Sequence, residues 1–211
     1  MRKSELWKAV LQTCEPVLKA AGFVRRTEGI YTLPISTDFL GCLGFNSSMH
    51  WSDDMIGINP IVGIRSQALE KLVAEITGAK FHRYLPASAS TSLGYVQPER
   101  EFRMWEFALD APYPDPSSML DAILGDGARF MKQHASDEGL LALLLARMNP
   151  QPERRAERIP LLQLALGRPE EALEYVRNHR AQLAERGPEA LAEYEPIAMY
   201  VETQAQALPS G

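Results

Sequence analysis

Two neighbouring segments, residues 39–51 and 55–64, constrain the fold of this chain more than any others. In the first, Phe39, Leu43, Phe45, Met49 and Trp51 fall on one face of an extended strand, and Cys42, Gly44, Asn46, Ser48 and His50 on the other. In the second, Ile56, Ile58, Val62 and Ile64 line one side, while Gly57, Asn59 and Gly63 lie opposite with Met55 and Ile61. A period of two with one apolar face is the pattern of a half-buried antiparallel strand. Ser52-Asp53-Asp54 between them reads as the hairpin connection, because short acidic side chains hydrogen-bond their own backbone in turns. Pro60 cannot donate to a ladder, so its strand is expected at an edge or with a bulge.

The flanking sequence extends this sheet. Residues 4–21 place Trp7, Val10, Leu11, Cys14, Val17, Leu18 and Ala21 on one helical face, with Gly22 as the stop and Pro16 as a point where the helix should kink or divide. Residues 23–27 and 30–35 read as a hairpin around Glu28-Gly29. Ser66 is placed to cap a helix whose inner stripe is Leu69, Leu72, Val73 and Ile76 and whose stop is Gly78. Residues 88–92 read as a flexible loop, 92–96 and 102–109 as strands, and the proline-rich run at 111–116 as a linker.

After Ser117 the sequence is helical. Met119, Leu120, Ile123 and Leu124 begin one helix, which Phe130 and Met131 continue past Gly125 and Gly127. Residues 140–148 form a short apolar helix expected to be buried. Helices are expected over 154–166, 169–185 and 188–208, with Pro169 and Pro188 at first-turn positions after a closing glycine. The fold class is therefore α+β: an N-terminal helix and antiparallel sheet meander over 1–110, followed by a helical subdomain of hairpins over 117–208 packed on it. The passage from Leu161 to Leu173, with Ala165, Gly167 and Glu170-Glu171-Ala172-Leu173, resembles the turn between helices of tetratricopeptide-type repeats. A second copy about 34 residues away is lacking, so it implies a helical hairpin rather than a repeat array.

Chemistry is harder to find. Among 211 residues, 23% charged and 45% hydrophobic, the net charge of −5 argues against nucleic acid or an anionic membrane as main partner. Cys14 and Cys42 fall in apolar patterns as small hydrophobes. No secretion signal or membrane-length apolar run is read, and a cytoplasmic protein is expected. Neither a phosphate-binding glycine loop nor a nucleophile elbow occurs. His50, Asp53 and Asp54 are the best metal-ligand set, but the register aims them apart, so no metal site and no cofactor are expected. His82, His134 and His179 lack partners at ligand spacing and read as surface or boundary residues. Glu170, Glu171, Glu174, Glu189, Glu193 and Glu195 read as solvated helix faces. The small-residue sheet face, with Asn46, His50 and Asn59, is either covered by a neighbouring segment, which glycine permits, or open as a ligand groove.

The run Ala20-Ala21-Gly22-Phe23, the basic pair Arg25-Arg26 and Tyr31, set at the end of an amphipathic helix and the start of a meander, resembles a family of uncharacterised bacterial α+β domains. Relatives of that family are immunity proteins encoded beside polymorphic toxins. The likeness extends to about residue 110. It implies a non-catalytic protein that binds and occludes another protein, a toxin domain encoded nearby, with no catalytic residues to carry over. Trp51, Asp53 and Asp54 at the hairpin tip are the expected partner-binding residues. The alternative is an enzyme or small-ligand protein using Asn46, His50 and Asn59.

Overall fold

The computed structural model describes residues 2–48, 52–111, 113–146 and 152–207. Its first helix, α1 (Lys3–Ala20), runs through Pro16 as one element. Pro16 is exposed, so the carbonyl it leaves without an amide donor one turn earlier faces water. Gly22 takes a φ of +90°, and Phe23 N–H returns to the Leu18 carbonyl, closing the helix as the sequence predicts.

Four strands follow as an antiparallel meander: β1 (Val24–Thr27), β2 (Ile30–Pro34), β3 (Phe39–Ser48) and β4 (Met55–Ser66). Leu43 opposes Val62, Asn46 opposes Asn59, and Gly41 opposes Ile64, so the two faces read from the sequence are the two faces of the sheet. The apolar face carries Tyr31, Leu43, Phe45, Ile56, Ile58, Val62 and Ile64, all buried. It belongs to the same continuous core as Leu6, Val10, Cys14 and Leu18 of α1, and Phe45 stacks edge-on with both Trp7 and Tyr31.

Helix α2 (Gln67–Thr77) begins where β4 ends. Ser66 accepts from Leu69 N–H, the predicted cap, and Asp38 adds a second acceptor for Ala68 N–H at 2.6 Å. Gly78, at φ +69°, ends it. The chain then returns along the 79–88 segment to β5 (Ala89–Ser92), and later to β6 (Trp105–Ala108). Both short strands pair with the same side of β4: β6 with residues 55–58, β5 with residues 61–64.

Three expectations are corrected. Residues 88–92 are not a loop but supply β5, and residues 93–96 form a single 3₁₀ turn rather than a strand. Gly94 lets that turn lie close to the chain that follows, since a Cβ there would stand 2.2 Å from the Glu101 carbonyl oxygen. Pro60 does not put its strand at an edge, for β4 is paired on both sides. Phe45, opposite Pro60, gives its N–H to Gly29 on the β2 side. In an antiparallel ladder that makes Phe45 and Pro60 a non-hydrogen-bonded pair, so the proline nitrogen faces the gap between β5 and β6.

The remaining chain is helical. Helix α3 (Ser117–Ala122) widens through residues 123–127 into α4 (Ala128–Gln133) and packs on the apolar sheet face. Gly127 and Gly41 allow that close approach: added Cβ atoms would meet Val62 Cγ1 at 3.3 Å and Met131 Sδ at 2.6 Å. Helices α5 (Asp137–Leu145), α6 (Pro152–Ala165), α7 (Pro169–Ala184) and α8 (Pro188–Ala207) then pack as hairpins. Gly167 and Gly187 adopt positive φ at the two turns. Burial of α5 is less complete than its sequence suggests: Leu140, Leu141, Leu143 and Leu144 are inside, but Leu145 is 52% exposed. Apolar residues of these helices, including Ile159, Val176 and Ile197, join the one core that also holds the sheet. No helix among the described residues is long and apolar enough to cross a membrane.

Gly63 gives the sheet its sharpest local test. A Cβ there would lie 2.5 Å from the Ala89 carbonyl oxygen and 2.8 Å from Ser90 Cβ. Gly63→Ala is therefore expected to push β5 off β4 at a cost of about 1–3 kcal/mol in urea denaturation. Gly44→Ala on the same face, meeting only Ile30 Cδ1 at 3.9 Å, is expected to be neutral or slightly stabilising.

Candidate functional site

Three places bring polar residues together. The first is the β3–β4 hairpin tip. His50 and Trp51 lie outside the described residues; Asp53 and Asp54 are exposed in the bend that leads into β4. The bend is braced from two sides. Lys3 Nζ donates to the Ser52 carbonyl, and Leu109 N–H donates to the Asp54 carbonyl at 2.8 Å. Ser52 Oγ donates to Asp54 Oδ1 at 2.5 Å, which chiefly holds that carboxyl below the usual aspartate range. Four residues beyond Leu109, Tyr113 stands 87% exposed.

The second place is the small-residue face of the sheet. Asn46 and Asn59 are direct register partners, as expected, but their surroundings differ. Asn46 is exposed; Asn59 is buried and its Oδ1 accepts from Ser92 Oγ at 2.6 Å, satisfying it within the sheet. The 79–88 segment covers part of this face. It leaves a groove of about 220 Å³ with Ile30, Cys42, Gly44 and Ile61 as floor, Leu85 and Pro86 as wall and Asn46 at its border. The covering segment and the groove coexist on this face. Burial pushes the Cys42 thiol up to about 12, so it is a packed hydrophobe rather than a thiolate nucleophile.

The third place went unread in the sequence: a buried ionic cluster where α2 meets α6. Arg158 grips Glu70 with both prongs, Nε to Oε1 at 2.7 Å and Nη2 to Oε2 at 2.8 Å. Arg154 Nη2 stands 3.4 Å and Arg65 Nη1 3.5 Å from the same Oε2. The side chains of Arg65, Arg158 and Glu70 are 1%, 4% and 6% exposed. Burial pushes the Glu70 carboxyl up, but hydrogen bonds and charge from Arg158, a hydrogen bond from Ser88 and the charge of Arg154 outweigh it and hold it below the usual range. Arg65 spends its remaining donors on one stretch of backbone, the carbonyls of His82, Arg83 and Pro86. Chemically this is a clamp: it ties strand, loop and helix together through fixed charges.

The other predicted polar residues are scattered. His82 is exposed, His134 packs on Phe130, and His179 sits between Tyr175 and Tyr194. Glu195 joins Glu202 in a half-exposed pairing with Arg180, and Glu171 meets Gln163. Among the described residues no three His, Cys, Asp or Glu side chains group as metal ligands. Comparison with family models, curated proteins and solved structures finds no match to this chain.

Proposed function

We propose that this chain is a non-catalytic, cytoplasmic binding protein of immunity type, which docks on and occludes a bacterial toxin domain encoded nearby. The observation that carries the reading is the braced hairpin tip: two exposed carboxylates on a bend anchored to α1 and to the end of β6, with a nearly free tyrosine four residues along the chain. Rigid presentation lowers the entropy lost on docking, and exposed tyrosines are favoured anchors at interfaces. The acidic tip suits a basic surface on the partner, where it would accelerate encounter more than it would tighten the final complex.

Co-purification with the product of the adjacent gene tests the reading, followed by charge reversal. Asp53→Lys combined with Asp54→Lys is expected to slow association about tenfold and flatten its salt dependence, leaving the melting temperature unchanged. A complex indifferent to both changes, or no complex at all, would remove the tip from consideration. The groove beside Asn46 supports the second reading, a small apolar ligand on the sheet face. Saturable binding of such a ligand, lost when Gly44→Leu fills the floor, would favour it instead.

A further inference from the structure

The helical half holds a cavity of about 360 Å³ that shares no residue with the hairpin tip or the sheet groove. The end of α5, the start of α6 and one stripe of α7, from Tyr175 to Gln182, enclose it. Leu144 and Ile159, both almost wholly buried, make an apolar floor, and Leu145, open to solvent, lines it too. Among the described residues no carboxylate lines this space, and Arg155 is its one fixed cation. The Arg155 side chain is half-buried, yet among the described residues its guanidinium makes no hydrogen bond and no ion pair. In a chain of net charge −5 that is unusual, since partly buried charges are normally paired. Its charge is felt at the Tyr175 hydroxyl, which also has no hydrogen-bond partner among the described residues. Burial lowers the His179 imidazole below its usual range, against an opposing hydrogen bond with the Gln182 side chain, so that ring is neutral near pH 7.

We propose that this cavity binds a small aromatic carboxylic acid, its carboxylate on Arg155 and its ring on the Leu144–Ile159 floor beside Tyr175. The planar fork of a guanidinium matches the two oxygens of a carboxylate, and the Tyr175 hydroxyl and Asn178 amide can donate from α7. The floor is aliphatic, so the ligand needs an apolar body. The α7 wall carries two near-parallel rings, Tyr175 and His179, 23° apart, whose faces favour a flat one. The volume exceeds the roughly 300 Å³ at which small-molecule sites begin, which leaves room for one ring or two fused rings. A free inorganic anion would leave the floor uncovered. A nucleotide would bring more negative charge than a single arginine offsets.

The test is isothermal titration of the whole chain with benzoate and, separately, with indole-3-acetate, the melting temperature being followed alongside. Wild type is expected to give saturable heat with one or both acids and a melting temperature that climbs with the logarithm of their concentration. The matching amides, benzamide and indole-3-acetamide, keep the ring and lose the charge, and should bind at least about tenfold more weakly. Acetate keeps the charge and loses the ring, and should bind more weakly by a similar factor. Arg155→Met is expected to bring the acid down to the affinity of its amide and to leave the melting temperature without ligand unchanged, because Arg155 ties no other described residue in place. The amide comparison tests the charge in wild type, without any substitution. No saturable heat with either acid, equal affinity for acid and amide, acetate binding as tightly as the aromatic acids, or undiminished binding in Arg155→Met would each overturn the proposal.

Discussion

Glu70→Gln is expected to destabilise the protein by about 3–5 kcal/mol, the usual cost of removing one partner from a buried ion pair. For a chain of this size that is a fall in melting temperature of roughly 10 °C. Glutamine keeps the shape and one acceptor oxygen. It deletes the one carboxylate that, among the described residues, faces Arg65, Arg154 and Arg158 together at hydrogen-bonding or ion-pair distance. Glu202→Gln on α8 is the matched control. Its partner Arg180 is partly exposed and keeps Glu195, so a loss of at most about 1 kcal/mol is expected. The pH dependence carries a defined sign. The folded pKa of Glu70 lies below its ordinary value of 4.5, so its contribution is complete above that value and is lost as pH falls through the folded one. Wild type should therefore lose stability on acidification more steeply than Glu70→Gln, and the two denaturation profiles should converge at low pH. Parallel profiles would show that Glu70 holds the clamp by shape and not by charge.

The clamp escaped a reading of the sequence for a physical reason. Glu70 follows Leu69 and stands three residues before Val73, on the buried side of α2, and Arg158 lies between Ala156 and Ile159, so helical periodicity placed both inward. Charged residues are so seldom buried that periodicity alone is discounted for them, and pairing across 88 positions leaves no local trace. The main sheet is the opposite case. An apolar core face writes its alternation directly into β3 and β4, even though β4 is buried on both faces, and Ser66 and Gly78 mark the ends of α2 by backbone chemistry that needs no partner. β5 shows the boundary between the two. Ala89-Ser90-Thr91-Ser92 has no apolar alternation of its own; it is a strand because β4 offers a free edge and Gly63 lets it approach. Leu93 to Val96 has the residue types of a strand, but the close return of the chain at Glu101 and Arg103 turns it. At the tip, the acidic residues were legible and their bracing was not, since Lys3 and Leu109 lie far from them in sequence.

Arg65→Met is expected to act on the loop more than on the fold as a whole. Arg65 is the largest side chain that is almost fully buried, and its guanidinium reaches the carbonyls of His82, Arg83 and Pro86. Losing it strands the His82 and Pro86 acceptors, each worth roughly 1–3 kcal/mol if they stay dry, while the Arg83 carbonyl keeps Gln67 Nε2. The same substitution removes one of three cations around Glu70, relieving repulsion while Arg158 keeps its two-pronged contact. Global destabilisation should therefore be smaller than for Glu70→Gln, about 2 kcal/mol, with the larger effect confined to residues 79–88. If local opening becomes easier by that amount, proteolysis within the segment should accelerate about thirtyfold, because cleavage tracks the population of the open form. Arg65→Lys should behave much like Arg65→Met, since a single ammonium cannot span carbonyls spread over five residues as a planar fork does. The other anchors of the loop are the Ser88 N–H to the Ile64 carbonyl, Gln67 Nε2 to the Arg83 carbonyl at 2.8 Å, and Tyr84 under the Arg26 guanidinium. Unchanged cleavage in Arg65→Met would mean that these contacts suffice. The Leu85–Pro86 wall of the sheet groove would then be held from the loop side, not from β4.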